Sequence, residues 1–142
     1  MTTGENKLLI QRYIHEIINT GNVENIDQFV SPDYAEIYEG KRYVLGIEGA
    51  KEHVLGVRRT YPDLQLTVEH QIAEAEWVAT SIVARGTHRG VWLGMKPTGK
   101  ALVYSGINID KIVHGRIVEH GGAANMLSPL LEVGALRVVG PE

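Results

Sequence analysis

The chain has 142 residues, 44% of them hydrophobic and 22% charged, and a formal net charge of −3. That is the size of one ordinary domain, long enough to bury a core without staples, with the balance of a soluble globular protein. The absence of cysteine excludes disulfides, zinc–thiolate sites, iron–sulfur clusters and cysteine nucleophiles, and the scattered basic residues (Arg58-Arg59 is the tightest pair) argue against nucleic acid as a partner.

Residues Met1 to Asn6 lack a basic region followed by an apolar stretch, so no signal peptide is read. No apolar run approaches the roughly 20 residues needed to span a bilayer. The expectation is a soluble cytoplasmic protein with no membrane contact.

In chain order, Leu9, Tyr13 and Ile17, flanked by Ile10, Ile14 and Ile18, recur at helical spacing. Thr2 and Glu5 suit a capping box, and Thr20-Gly21-Asn22 ends the run. A short second helix is expected around Ile26, Phe29 and Val30, stopped by Ser31-Pro32. A third begins after Gly46, with Ala50, Val54, Val57 and Tyr61 on one stripe and Pro62-Asp63 closing it.

The period then changes. Leu64, Leu66, Val68, His70 and Ile72 alternate with polar residues, as in a half-buried strand. A turn at Ala73–Glu76 leads to a central strand over Trp77–His88. After a glycine-rich connection from Gly90 to Lys100, a long strand runs from Ala101 to Val113. His114-Gly115 turns the chain into a strand over Arg116–His120. Met126–Val133 reads as a last helical turn or two, with Ser128 as cap and Pro129 at its first position. Helices set apart from an antiparallel sheet make an α+β fold in one domain over residues 1–142.

A pocket follows from strand parity. Val103, Ser105, Ile107 and Ile109 point one way, and Leu102, Tyr104, Gly106, Asn108, Asp110 and Ile112 the other. The second set mixes apolar walls with isolated polar groups, either lining a ligand cavity or facing water. The strand after His114-Gly115 must pair back along the same ladder. That brings Val118 and His120 toward Asn108 and Asp110, since cross-strand neighbours stand about 4.5–5.5 Å apart at Cβ. A His–Asp or His–Asn pair at that spacing holds one tautomer ready for acid–base work.

The other histidines carry less. His15, His53 and His114 read as exposed, His70 as a satisfied core histidine, and His88 as either a pocket mouth or a structural corner. Candidate ligand contacts are His88, Tyr38, Trp92, Met95 and Asn125. No His-x-His or His-Glu-x-x-His spacing supports a metal. No Gly-x-Ser-x-Gly elbow supports a serine hydrolase. No helix opens after Gly86, Gly90, Gly94 and Gly99, so nucleotide cofactors lack support. No metal or cofactor is expected.

The run Arg85-Gly86-Thr87-His88-Arg89-Gly90, then Gly94 to Lys100, Ile107 to Ile112, and Gly115-Arg116-Ile117-Val118-Glu119-His120, resembles the SnoaL-like polyketide cyclases. The opening with Tyr13 and Phe29 to Tyr34 is similar too, so the resemblance covers about Leu8 to Gly134. It implies a cone-shaped α+β barrel of the nuclear-transport-factor-2-like superfamily with an apolar cavity under the helices. It also implies ring closure by intramolecular aldol condensation without cofactor or metal. In those cyclases an aspartate just after the last strand is the acid–base; the matching position here is Gly122, and a tryptophan of relatives matches Gly121, which would widen the pocket. The aspartate's role would pass to His120 or Asp110.

Three functions compete on these residues. The first is a cofactor-free cyclase, lyase or isomerase acting on a hydrophobic carbonyl compound, with His120 as base, Asp110 or Asn108 orienting it and Tyr104 as donor. The second is a binding module without turnover, and the third a cofactor-independent hydroxylase. An apolar sheet face bearing Val83, Val103, Ile107 and Ile109 predicts a homodimer or higher homo-oligomer.

Overall fold

The computed structural model describes residues 1–141. The first helix, α1, spans Thr3–Tyr13 and continues through a π turn over Ile14–Ile18. Thr2 caps it, its hydroxyl oxygen accepting the Glu5 N–H at 3.1 Å. The buried face is the sequence stripe itself, with Leu9, Ile10, Tyr13, Ile14 and Ile17 all in the core.

The next segment differs from expectation. Ile26–Gln28 is only a single 3-10 turn, and Val30 opens a strand, β1, over Val30–Tyr38. Short apolar runs such as Phe29-Val30 fit either period, and here pairing with other strands decides. Strand β2, Lys41–Val44, folds back on β1 through a two-residue turn, with Glu39 at φ 50° and Gly40 at φ 76°. Two positive φ values make the tight hairpin turn whose twist matches the strands.

Helix α2 spans Gly46–Thr60 and buries Ala50 and Val54. Within the Arg58-Arg59 pair, Arg58 has a structural part. Arg58 donates to the carbonyls of Ile18, Pro62 and Leu64 at 3.0, 2.7 and 2.9 Å, tying the ends of both helical segments together.

Strands β3 (Gln65–Glu74), β4 (Trp77–Thr87), β5 (Ala101–Val113) and β6 (Arg116–Asn125) form the meander, and α3 (Leu127–Glu132) follows. Strand β6 runs five residues beyond His120, farther than its sequence pattern announced. Helix α3 begins at Leu127 without a side-chain cap, so Ser128 lies inside it. The sheet order is β2-β1-β6-β5-β4-β3, antiparallel throughout except for the parallel β1–β6 pair. Helix α1 packs across β3 and β4, and α2 across β1, so both roof one face of the curved sheet. Among the described residues, no helix is long and apolar enough to cross a membrane.

Side-chain parity sets what each face holds. On β5, Leu102, Asp110 and Ile112 are buried, while Val103, Ile107 and Ile109 are about half exposed. On β3 the register shifts between Val68 and His70. That bulge reverses the alternation, leaving His70 and Ile72 exposed where the sequence pattern put them inside.

Candidate active site

A cavity of about 370 Å³ lies between the helical roof and the inner face of the sheet. Its size is that of a small-molecule site. Apolar walls come from α2 (Val54, Val57), from Leu64 and Leu66, and from Ile82 and Ile117. The polar groups come chiefly from β1, α2, β5 and β6.

The β5–β6 ladder sets Asp110 directly opposite His120. Both side chains turn inward, and His120 Nδ1 lies 2.7 Å from Asp110 Oδ1. Asp110 is 3% exposed and so reaches the cavity rather than bulk water. With Nδ1 held by the carboxylate, Nε2 is the ring nitrogen left for a guest. Burial alone would push the His120 imidazole down. The Asp110 carboxylate, by charge and hydrogen bond, and Glu36, by charge, outweigh it and hold the group above its ordinary value.

A second pair stands beside the first. His53 of α2 contacts Glu36 of β1 through Nδ1 and Oε2. The Tyr34 hydroxyl donates to the same Glu36 oxygen at 3.2 Å. The His53 and His120 rings meet edge to face, their centroids 5.9 Å apart at 89°. Tyr34, Glu36, His53, His120 and Asp110 thus form one continuous cluster. Burial pushes the Glu36 carboxyl up, but the His53 hydrogen bond and charge, with His120 and Tyr34, bring it below the usual carboxylate range. Burial raises the Tyr13 and Tyr34 phenols and lifts Tyr104 to about 12, so all three stay neutral donors at physiological pH.

The glycines after His120 shape the floor. Gly122 faces Asn108 across the ladder with φ at 150°. A Cβ there would overlap the Ile107 carbonyl oxygen and lie 3.0 Å from Asn108 Cα. No side chain fits this backbone at the position where the cyclase aspartate is expected. A Cβ on Gly121 would meet Ile37 of β1 at 3.2 Å, so glycine there admits the close approach of the parallel strand.

Tyr104, Asn108, Asp110, His120 and Tyr38 all line the cavity. The remaining sequence candidates lie elsewhere. His88 is 1% exposed at the corner after β4, with Nδ1 3.4 Å from the Thr98 hydroxyl and its ring 5.9 Å from Tyr61. Trp92 and Met95 pair with each other in the connection before β5. Asn125 sits opposite Ser105 on the outer face. Sequence reasoning missed Glu36, His53 and Tyr34. His53 lies one step from Val54, three after Ala50 and four before Val57, a spacing that belongs to the inward stripe. Glu36 had no such signal without β1.

An inner sheet face carrying two histidine–carboxylate pairs, roofed by helices, lines a cavity of small-molecule size in an α+β cone. Residues 8–132 match the SnoaL-like polyketide cyclase family, and the chain belongs to that family. Nogalonic acid methyl ester cyclase of Streptomyces nogalater is 28% identical over 120 residues, covering 82% of this chain and 88% of that one. Aklanonic acid methyl ester cyclase AcmA of Streptomyces galilaeus is 28% identical over 113 residues, 77% of each chain. Among solved structures, AclR of Streptomyces galilaeus, a candidate hydroxylase, superimposes with a TM-score of 0.81 at 28% identity over 96% of this chain and 100% of its own.

Proposed function

We propose that this protein closes a ring in a polyketide-like carbonyl compound by cofactor-free intramolecular aldol addition, with His120 as the base. The observation that carries this is the 2.7 Å His120–Asp110 contact inside the cavity. An oriented imidazole with a free Nε2 can remove the proton next to a carbonyl, and the enolate then attacks a second carbonyl of the same molecule. The relatives that act on nogalonic and aklanonic acid methyl esters support this substrate class.

The enolate oxygen needs a donor near His120. Asn108 stands diagonally across the ladder from His120, about 7–8 Å away at the backbone and within side-chain reach. Tyr104 is six residues from Asp110, a run of about 20 Å of extended strand. It therefore meets the far end of a guest, and the donor role falls to Asn108.

The test is turnover of the two methyl esters. His120→Ala should slow cyclisation by at least about 100-fold with folding intact. An unchanged rate removes His120 as base, and oxygen uptake with an oxygenated product would establish hydroxylation instead. The outer sheet face carries Ile72, Trp77, Val103, Ile107 and Ile109, each 43–74% exposed. We infer that a second copy covers it, since so continuous an apolar face is unusual on a monomer.

A further inference from the structure

We propose that His53, oriented by Glu36, is a second proton-transfer residue of this cavity, delivering to the carbonyl oxygen the proton that ring closure requires. The inference rests on the reading of His120 as base. Aldol addition needs two proton movements, one off carbon and one onto oxygen. A lone imidazole would have to perform both at different atoms of the guest.

The site holds two imidazoles built alike. His120 on β6 is held through Nδ1 by Asp110 of β5, and His53 on α2 is held through Nδ1 by Glu36 of β1. Their rings are 5.9 Å apart, and both line the cavity. The bland alternative is that Glu36–His53 merely ties α2 to β1. A tie of that kind needs no imidazole placed against the base. Nor does it need a carboxylate that also accepts the Tyr34 hydroxyl, since a hydrogen-bonded neutral pair would link the elements equally well.

The step balances without any co-reactant. The α-carbon loses its proton to His120 Nε2. The carbon–carbon bond forms as the π electrons of the attacked carbonyl move onto its oxygen, and His53 gives that oxygen a proton. His120 then holds one proton more and His53 one fewer. Transfer of that proton from His120 to the adjacent His53 ring restores the start. His53 contacts Glu36 of β1 and the His120 ring of β6, behind which stand Tyr34 of β1, bonded to Glu36, and Asp110 of β5, bonded to His120. Proton removal needs only His120, whereas closure needs both rings.

The experiment follows aklanonic acid methyl ester in deuterium oxide with wild-type protein, His53→Gln and Glu36→Gln, reading α-deuterium incorporation and ring closure separately. In His53→Gln, incorporation should persist while closure falls about 100-fold. Glu36→Gln, which keeps the shape of the side chain but removes the charge that orients His53, should show the same split, with incorporation retained and closure slowed. Closure by His53→Gln at the wild-type rate overturns the inference and leaves His120 standing. Equal loss of incorporation and closure also overturns it, reducing His53 to a support for His120. Wild-type protein that neither exchanges nor closes the ester defeats the base reading and this inference together.

Discussion

Gly122 lies against the main chain of Ile107, so close that a β-carbon would overlap the Ile107 carbonyl oxygen. The cyclases that this family is named for are expected to carry their aspartate at that position, yet here the strands approach too closely to admit one. Gly122→Asp should therefore destabilise the fold by about 1–3 kcal/mol, the usual cost of overpacking, rather than raise activity. Urea unfolding checks this, with the midpoint falling at an unchanged slope. A stable, faster variant would mean that the backbone yields and the aspartate site is latent.

The His120–Asp110 contact should make both rate and stability depend on pH. His120 is held above its ordinary value in the folded chain, so the pair's stabilisation is fully present below the unfolded imidazole value, about 6.5. It is lost as pH rises through the higher folded value. Asp110→Asn removes the main raising cause and leaves burial, so the acid limb of kcat/KM should move to lower pH. Unfolding free energy should also change less across the same interval. An acid limb that does not move would separate Asp110 from the titrating base.

Asn108 and Tyr104 should split kinetically. Asn108→Ala removes a donor needed most when charge develops on oxygen, so kcat should fall about 100-fold. Tyr104→Phe alters a contact equally present before and during reaction, so KM should rise with kcat nearly unchanged. Steady-state rates on either methyl ester decide this, and the reverse pattern would return the donor role to Tyr104.

On the outer face, Ile107 is 52% exposed beside Ile109 at 45%. Light scattering should give at least twice the 15.7 kDa chain mass. Ile107→Lys, which places a charge in the middle of the patch, should give that single-chain mass with the fold retained. A wild-type monomer at micromolar concentration would contradict the covered face.

The meander, the α1 and α2 stripes and the inward parity of β5 were legible because each depends on a local period. Asp110 and His120 came together from a turn and a ladder, both readable at His114-Gly115. The β1–β2 hairpin was not legible. Pro32, the mixed charges from Glu39 to Arg42 and the wholly exposed β2 give no alternation, and β1 is fixed by distant pairing with β6. Glu36 was lost with it, and His53 then had no partner to mark it. His70 misled because a one-residue bulge reverses the faces of a strand without changing its composition.

If His120 is the base, it takes a proton from carbon in a guest held beneath the helices. Nuclear magnetic resonance of aklanonic acid methyl ester in deuterium oxide measures this step before any ring closes. Wild-type protein should introduce deuterium next to the reacting carbonyl, and His120→Ala should do so at least about 100-fold more slowly. Equal incorporation by the two proteins would mean that His120 is not the base.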